Sequence, residues 1–210
     1  NLAIMKHIWI FIILLSLSAE GNSQNLRNVS WGMSPDDVQK IEPLKLFKKL
    51  QANPNNIALV YKDFVFGDSI YVWYQFLYNS LSSISYQVYL SSTMEQPYQE
   101  LIKYVDLLKK KYTEPLEVKW DCSDSNSKSY IENASNKDDE MNYLFYDGDI
   151  KEILYRWATG TTLIHFSIKG NTVKVNGREV KYPGFSIIYQ SYDFDNLFEK
   201  AKKEQIENKL

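Results

Sequence analysis

The hydrophobic pattern changes along the chain, and residues 57 to 91 show the alternation that is typical of strands. Three segments there, IALVYKDFVF, SIYVWYQFLY and SSISYQVYL, are rich in β-branched and aromatic residues. Gly67-Asp68 and Asn79-Ser80 separate them and favour tight turns, which predicts three antiparallel strands. The middle segment is apolar on both faces. One face carries Tyr71, Trp73 and Leu77, and the other, the expected core face, carries Ile70, Val72, Tyr74, Phe76 and Tyr78. We therefore expect a central strand, or a face that a partner covers.

Helical patterns flank these strands. In WGMSPDDVQKIEPL, Ser34 suits an N-cap, Pro35 suits the first helical position, and Asp36 and Asp37 complement the positive end of the helix dipole. Pro43 is expected to break or kink this helix, and the following LKLFKKLQANPNN is expected to form a further helical turn and then a polar loop. The segment QPYQELIKYVDLLKKKY has apolar residues near a spacing of 3.6 and lysines at its end, which predicts the clearest helix of the chain.

A second block of strands follows that helix. The segments LEVKWDCS, IKEILYRWAT, TTLIHFSIKG, TVKVNGREVKY and GFSIIYQSY have strand composition, and Asn176-Gly177 predicts a type I′ turn. Residues 124 to 139 are polar and predict a mobile loop, whereas 194 to 210 predict a polar helix. We expect an α+β domain over 24 to 193, with antiparallel sheet, helices packed on one face, and possible tandem helix-plus-three-strand halves at 24 to 95 and 96 to 193.

The N-terminal segment MKHIWIFIILLSLSAEGNSQ has the layout of a secretory signal peptide, with Lys6 and His7 before an apolar run. Cleavage after Gly21 or after Ser23 fits, and the second site is preferred, so residues 1 to 23 are expected to be a leader. Residues 1 to 4 are expected to lie upstream of the true start, and a buried N-terminal hairpin helix is the alternative. No other segment approaches the ~20 apolar residues of a membrane span. The mature protein is therefore expected to be exported, periplasmic or extracellular, without an integral membrane segment.

Composition narrows the classes of partner. The chain has 210 residues, a net charge of −2 and a pI near 5.8, and it has no dense stripe of Lys and Arg. Nucleic-acid binding is not expected, because that function needs a basic surface. Cys122 is the single cysteine, so an intramolecular disulfide cannot form. The hydrophobic fraction of 44% and the aromatic fraction of 15% are ample for a core.

Several segments in order, NLRNVSWGMSPDDVQKIE, LVYKD with YQFLYNSLSSISYQVYL, YQELIKYVDLLKKKYTEP, Trp120 and WATGTTLIHFSI, resemble a family of uncharacterised bacterial exported proteins that open with a Trp-Gly-Met-Ser motif. The resemblance implies export and no defined activity. The Gly-Met-Ser start also resembles the opening of the small barrel-assembly lipoproteins and of the β-lactamase-inhibitor protein, which implies helix-plus-sheet units. Independently of any family, Gly32 permits a tight turn and Ser34 caps the helix, so a structural role is expected for this motif.

Candidate chemistry is sparse. The mature chain has one histidine, His165, which is expected on the outer face of a strand while Ile164, Phe166 and Ile168 face the core. Cys122 could pair with His165 as nucleophile and base, but a buried inert thiol is the preferred interpretation. The Asp147-Gly148-Asp149 turn lacks the glutamate that an EF-hand needs at its twelfth position. No phosphate-binding loop or zinc-protease motif occurs, and no cofactor or metal is expected.

Two classes of function remain open. The first is a non-catalytic protein that binds a protein or an envelope component through a sheet face or its loops, because aromatic residues and arginine anchor interfaces. The candidate binding residues on the outer strand face are Tyr71, Trp73, Tyr89, Arg156 and Tyr192. The alternative for these residues is burial under helices or a second sheet. The second class is a hydrolase that uses carboxylates such as Asp121 and Asp149 as acid and base.

Overall fold

The structure is a computed structural model that describes residues 28–65, 68–89, 97–122, 150–175 and 178–207. These ranges contain three helices and eight strands. The helices are α1 (Pro35–Ile41), α2 (Pro97–Tyr112) and α3 (Phe194–Glu207). The strands are β1 (Leu46–Asn53), β2 (Asn56–Val65), β3 (Asp68–Leu77), β4 (Ser80–Tyr89), β5 (Glu117–Cys122), β6 (Ile150–Thr159), β7 (Thr162–Val175) and β8 (Arg178–Ser191).

All eight described strands form one sheet, in the order β1-β2-β3-β4-β8-β7-β6-β5. Every neighbouring pair is antiparallel, so β1 to β4 form one meander and β5 to β8 form a second. The two meanders join where β4 pairs with β8. The expected α+β class with antiparallel sheet is confirmed, and strand structure dominates it. Each meander has four strands, whereas three were expected in each tandem half.

The additional strand of the first meander is β1, in the segment for which a helical turn and a loop were predicted. Leu50 pairs with Ala58 and Lys49 pairs with Leu59, and the register shifts at two points along the strand. Lys48 and Lys49 are exposed on this outermost described strand. Charged side chains and bulges are common on edge strands, because they discourage pairing with another chain. Because of this polar composition, the hydrophobic pattern of the segment did not indicate a strand.

The main hydrophobic core lies on one face of the sheet. Its largest enclosed side chains are Tyr61, Tyr74, Phe76, Tyr86, Trp157 and Phe166. The helix α1 contributes Val38, and α2 contributes Val105 and Leu108. The apolar spacing predicted for α2 is therefore the face that this helix packs against the sheet.

The Trp-Gly-Met-Ser segment fixes the start of α1 against the sheet. Gly32 has a φ of 87°, its N–H donates to the Leu81 carbonyl, and the Leu81 N–H donates to the Met33 carbonyl. The Trp31 indole N–H donates to Thr162 Oγ1 at 3.0 Å. Ser34 Oγ accepts from the Asp37 N–H at 3.2 Å, which confirms the predicted N-cap. The motif thus has the structural role expected of it.

The helix α3 packs on the opposite face of the sheet, so the expected packing of the helices on one face is not confirmed. It contributes Phe194 and Ala201 to a second apolar cluster around Leu77. Leu77 alternates with the core residue Phe76, so it projects from the other face of the sheet. Asn53 Nδ2 donates to the Ala201 carbonyl at 2.9 Å and thereby holds α3 beside β1.

Tyr78 belongs to this second cluster, although the pattern of β3 predicted it on the core face. Tyr78 and Asn79 have φ values of 51° and 61°, so they form the two-residue turn between β3 and β4. The Tyr78 hydroxyl donates to Glu204 Oε1 at 3.0 Å, and Lys200 Nζ lies 4.7 Å from its ring centroid. Tyr78 therefore joins the hairpin to α3.

Some predictions fall outside the described residues. They are the leader at 1 to 23, the polar loop at 124 to 139, the Asp147-Gly148-Asp149 turn and the Asn176-Gly177 turn. Within the described ranges, no helix combines the length and the apolar character that a membrane span requires.

Candidate functional site

The face of the sheet opposite the main core is the candidate site. The strand register links one residue of each strand across it in the row Lys48, Val60, Trp73, Ser85, Ile188, His165, Arg156 and Glu117. Directly paired residues project from the same side of a sheet, so these eight side chains share one face. We call it the open face, because α1 and α2 pack on the other side and α3 covers this one only around Leu77.

The predicted binding residues lie on or near this face, but they do not form one cluster. Tyr71 and Trp73 are half-buried neighbours on β3, and the register of Tyr89 places it on the same side, although its side chain is outside the described part. Arg156 lies four strand positions from Trp73, which is about 19 Å at the usual strand spacing. Tyr192 follows β8, is 50% exposed, and donates from its hydroxyl to the Thr159 carbonyl.

The first group on the open face surrounds Lys62. Phe47 and Tyr71 contact each other edge to face, with ring centroids 5.8 Å apart. Lys62 Nζ lies 5.9 Å from the Phe47 centroid and 5.3 Å from the Tyr71 centroid. A cation at these distances is attracted to the faces of both rings. We call the five residues Phe47, Lys48, Lys62, Tyr71 and Trp73 the lysine-aromatic patch.

Sequence reasoning missed three members of this patch. Phe47 and Lys48 lie in the segment that was predicted to form a helical turn and then a polar loop, and Lys62 was not considered beside aromatic residues. A strand prediction for residues 46 to 53 would have paired them with β2. Leu46, Phe47 and Leu50 were the apolar residues available as an indication, but the register shift between Leu46 and Lys48 interrupts their alternation, and a short polar strand at an edge gives a weak pattern.

Trp73 forms the inner part of the patch. It pairs with Val60 on β2 and with Ser85 on β4. Its indole Nε1 is enclosed and has no hydrogen-bond partner within the described ranges. A partner would therefore meet the ring of Trp73 as apolar surface, while its N–H stays inside the protein.

The second group on the open face is polar and lies on β5 to β7. Arg156 Nη1 donates to Glu117 Oε2 at 2.8 Å, and Lys119 Nζ lies 2.8 Å from Glu117 Oε1. The hydrogen bonds from Lys119 and Arg156 lower the pKa of the Glu117 carboxyl. Burial lowers the pKa of His165 and the charge of Arg156 adds to this, while Asp195 and Glu117 oppose it. His165 is therefore a neutral side chain at pH 7.

The predicted catalytic arrangements are not assembled in the described structure. His165 pairs with Arg156 on the open face, whereas Cys122 packs against the main core on the other side. Their positions confirm the predicted orientation of His165 and exclude contact between the two side chains. Asp121 is exposed on β5, and Asp149 lies outside the described residues. Among the residues that are described, no three His, Cys, Asp or Glu side chains converge as a metal site would require.

A buried carboxylate on the core side has a structural explanation. Glu42 follows α1 and is 8% exposed. Tyr74 donates its hydroxyl to Glu42 Oε2, and the Leu44 N–H donates to Glu42 Oε1 at 3.1 Å. Burial, with the charge of Glu42 adding to it, raises the pKa of nearby Tyr61 to about 12. Glu42 thus anchors the end of α1 to β3.

The chain matches no protein-family model, no curated protein and no solved structure. A functional interpretation therefore has to start from the geometry of the open face. That geometry offers a broad surface with two separate groups of side chains.

Proposed function

We propose that this protein is an exported, non-catalytic binding protein, and that the open face of its sheet docks a partner protein. The observation that carries the proposal is the lysine-aromatic patch. On the same strands whose alternate residues form the core, Phe47, Tyr71 and Trp73 leave aromatic surface accessible beside two lysines. Aromatic side chains supply much of the binding energy of protein interfaces, because each buries a large area with few rotatable bonds.

The sheet gives this surface the rigidity that recognition needs. Tyr71 and Trp73 lie on β3, which is hydrogen-bonded along both edges, by β2 and by β4. Their alternate neighbours Val72 and Tyr74 are enclosed in the core. A partner would therefore meet side chains whose backbone is already ordered, and preorganisation reduces the entropy lost on binding.

Export is supported by the N-terminal segment with its basic residues, apolar run and small residues before position 24. Sequencing the N-terminus of the protein recovered from the periplasm or the medium tests it. A first residue at 22 or 24 would support export, whereas a cytoplasmic protein that keeps the apolar run would overturn it.

The two meanders also support a proposal about internal organisation. Each follows a helix, and the strand order is symmetric about the β4-β8 pair. We propose two helix-plus-four-strand units in tandem, with α3 as an addition after the second. In this arrangement the open face spans both units, and the lysine-aromatic patch belongs to the first.

The test of the binding function is site-specific photo-crosslinking in the native host. A photoreactive phenylalanine analogue replaces Phe47, which is 58% exposed on the open face, or Ile41, which is 41% exposed at the end of α1. We expect one protein to be captured from position 47 and not from position 41. Reconstitution from purified components then has to show weaker binding by Tyr71→Ala. Equal capture from both positions, or none from position 47, would contradict the proposal.

A further inference from the structure

We infer that the outer edge of β5 pairs with the same edge of a second copy of this chain, so that the two sheets join into one continuous antiparallel sheet. The observation that carries the inference is the side-chain pattern of β5, with charges of alternating sign on one face and apolar residues on the other. The inference goes beyond the proposed function, because it concerns an edge of the sheet and not the docking of a partner protein on the open face.

The outer edge of β5 is the end of the sheet. Within the described ranges, β5 is the last strand on its side, and no other described strand pairs with its outer edge. An outermost strand presents a row of backbone N–H and C=O groups that can pair with another strand. Leu116, just before β5, is 76% exposed, and Val118 is 40% exposed. Burial of this apolar surface would add to the stability of such a pairing.

The side chains of β5 suit pairing with an antiparallel copy of the same strand. Glu117, Lys119 and Asp121 follow one another along the open face, so that a cation lies between two carboxylates. A two-fold axis perpendicular to the sheet at Trp120 places Lys119 of each copy directly opposite Asp121 of the other. Opposite charges in directly opposed positions stabilise antiparallel strands, and the symmetry supplies this pair twice.

Other registers of the same pairing are less favourable. An axis at Lys119 places the two Lys119 side chains opposite each other and Glu117 opposite Asp121, so that like charges meet. An axis at Val118 places Lys119 opposite Glu117, but it also brings Pro115 opposite Asp121, and proline cannot donate a hydrogen bond to a neighbouring strand. The axis at Trp120 instead keeps residues 118 to 122 of both copies in the paired segment.

The surroundings of Asp121 favour a cation from outside. Asp121 is exposed, and it forms no ion pair with another described residue. Its partner in the register with β6 is Glu152, which is a second carboxylate. Lys119 Nζ lies 2.8 Å from Glu117 Oε1, but the Lys119 side chain is 57% exposed and stays accessible. A second copy would therefore give Asp121 a cation that the described part of its own chain does not.

The opposite outer edge of the sheet lacks this pattern. β1 carries Lys48 and Lys49 but no carboxylate that could face them in a second copy. Its register against β2 shifts twice, and α3 is hydrogen-bonded to Ala52 and Asn53 at its end. Lysines and bulges discourage the pairing of edge strands. A second copy therefore fits β5 better than β1.

The experiment measures the association of the protein, expressed from the full sequence and purified, by sedimentation velocity. The concentrations run from about 5 to 500 μM, because a short edge-to-edge interface gives weak association. We expect an equilibrium between monomer and dimer. Lys119→Asp and Asp121→Lys should each raise the Kd of the dimer about tenfold or more, since symmetry turns two attractive pairs into two repulsive ones.

Mixing the two variants tests the register. In an equimolar mixture of Lys119→Asp with Asp121→Lys, each position 119 faces a position 121 of opposite charge, so the dimer should form again. An axis at Val118 would not restore it, because position 119 of the first variant would then face Glu117. Lys119→Gln is a milder variant that should weaken the dimer in the same direction by a smaller factor.

Lys202→Asp and Asp106→Lys are the matched controls. Both residues are exposed on helices, and the two substitutions change the net charge of the protein as the test variants do. They should leave the Kd of the dimer nearly unchanged. Circular dichroism of all the variants checks that each one is folded.

Four results would overturn the inference. They are a monomer at every concentration, equal weakening by the control variants, no dimer in the mixture, and species larger than a dimer. The last result would indicate head-to-tail pairing of β5 with β1, which does not close. The proposed function is tested separately, because capture of a partner from Phe47 on β1 does not require the edge of β5.

Discussion

The two faces of β3 differ although their residues alternate along one strand. Ile70, Val72, Tyr74 and Phe76 are enclosed in the main core, whereas Tyr71, Trp73 and Gln75 keep part of their surface. Helices α1 and α2 cover the first face, whereas the second carries the lysine-aromatic patch and is covered by α3 around Leu77. The presence of aromatic residues on β3 is therefore not enough to decide whether a given one belongs to the core or to the surface. Tyr74 on one face is enclosed in the core, while Tyr71, three positions away, keeps part of its surface on the other face.

The largest expected effect is on the covered face. Trp157 is 1% exposed, its ring stacks on Tyr155 with centroids 6.1 Å apart, and its indole N–H donates to the Thr113 carbonyl at 3.0 Å. Trp157→Ala should lower the free energy of unfolding by about 3–5 kcal/mol, because it leaves a cavity and an unpaired carbonyl. Denaturant unfolding measures this loss. Trp73→Ala on the open face is the control and should lower the free energy of unfolding by less. Equal losses in the two variants would contradict the difference between the faces.

The next effect separates two tyrosines on the covered face. The Tyr74 hydroxyl donates to Glu42, whereas the enclosed Tyr61 hydroxyl has no hydrogen-bond partner in the part of the chain that is described. Tyr74→Phe should cost about 1–3 kcal/mol, because it removes a donor from a buried carboxylate, while Tyr61→Phe should be close to neutral at pH 7. Chemical denaturation of both variants tests the contrast. A larger loss for Tyr61→Phe would show that its hydroxyl is paired.

Alkaline pH gives a second distinction at Tyr61. Its pKa in the folded protein is about 12, above the usual value of 10.0 in an unfolded chain. As pH rises from 10, the unfolded state releases its proton first, so the folded state loses stability until the pH passes about 12. Tyr61→Phe should remove this part of the alkaline destabilisation. The free energies of unfolding of both proteins at pH 9 and pH 11 measure this effect. If Tyr61→Phe loses as much stability between the two pH values as the original protein, the raised pKa of Tyr61 is contradicted.

The sequence was sufficient for elements whose pattern is local. The Ser34 cap, the α2 stripe and the alternation of His165 with Ile164 and Phe166 each depend on neighbours within a few residues, and the structure confirms them. The β4-β8 pairing joins residues about 100 positions apart, and no local pattern specifies it. Tyr78 was misplaced because a turn after Leu77 changed the direction that alternation predicted.

The candidate site was predicted in part for the same reason. The alternation of β3 placed Tyr71 and Trp73 opposite the core residues, and the strand register agrees. Phe47 and Lys62 could not be added, because their contact with Tyr71 requires the pairing of β1 with β2 and of β2 with β3. The separation of Arg156 from the patch likewise depends on strand order, which the sequence does not encode locally.

A smaller effect tests the polar group of the open face. Burial and Arg156 lower the pKa of His165, so the unfolded state binds a proton before the folded state as pH falls below 6.5. The free energy of unfolding should therefore fall on acidification. Between pH 7.5 and pH 5 it should fall less in the His165→Gln variant than in the original protein. The effect should be smaller than that of Tyr74→Phe, since His165 is partly exposed and solvent screens its charge. An identical pH dependence in both proteins would show that other groups control it.

The smallest effect concerns Tyr192, the candidate binding residue that lies beyond the end of β8. Its hydroxyl donates to the Thr159 carbonyl at 3.0 Å, next to the turn between β6 and β7. Because water can replace this exposed hydrogen bond, Tyr192→Phe should cost about 0.5 kcal/mol or less. The variant keeps the ring, so binding of the partner captured at Phe47 should also be unchanged if the lysine-aromatic patch carries recognition. Calorimetric titration of that partner compares Tyr192→Phe and Tyr192→Ala with Tyr71→Ala. A loss with Tyr192→Ala as large as with Tyr71→Ala would extend the docking surface across the sheet to the end of β8, and the contrast between the two halves of the open face would then no longer hold.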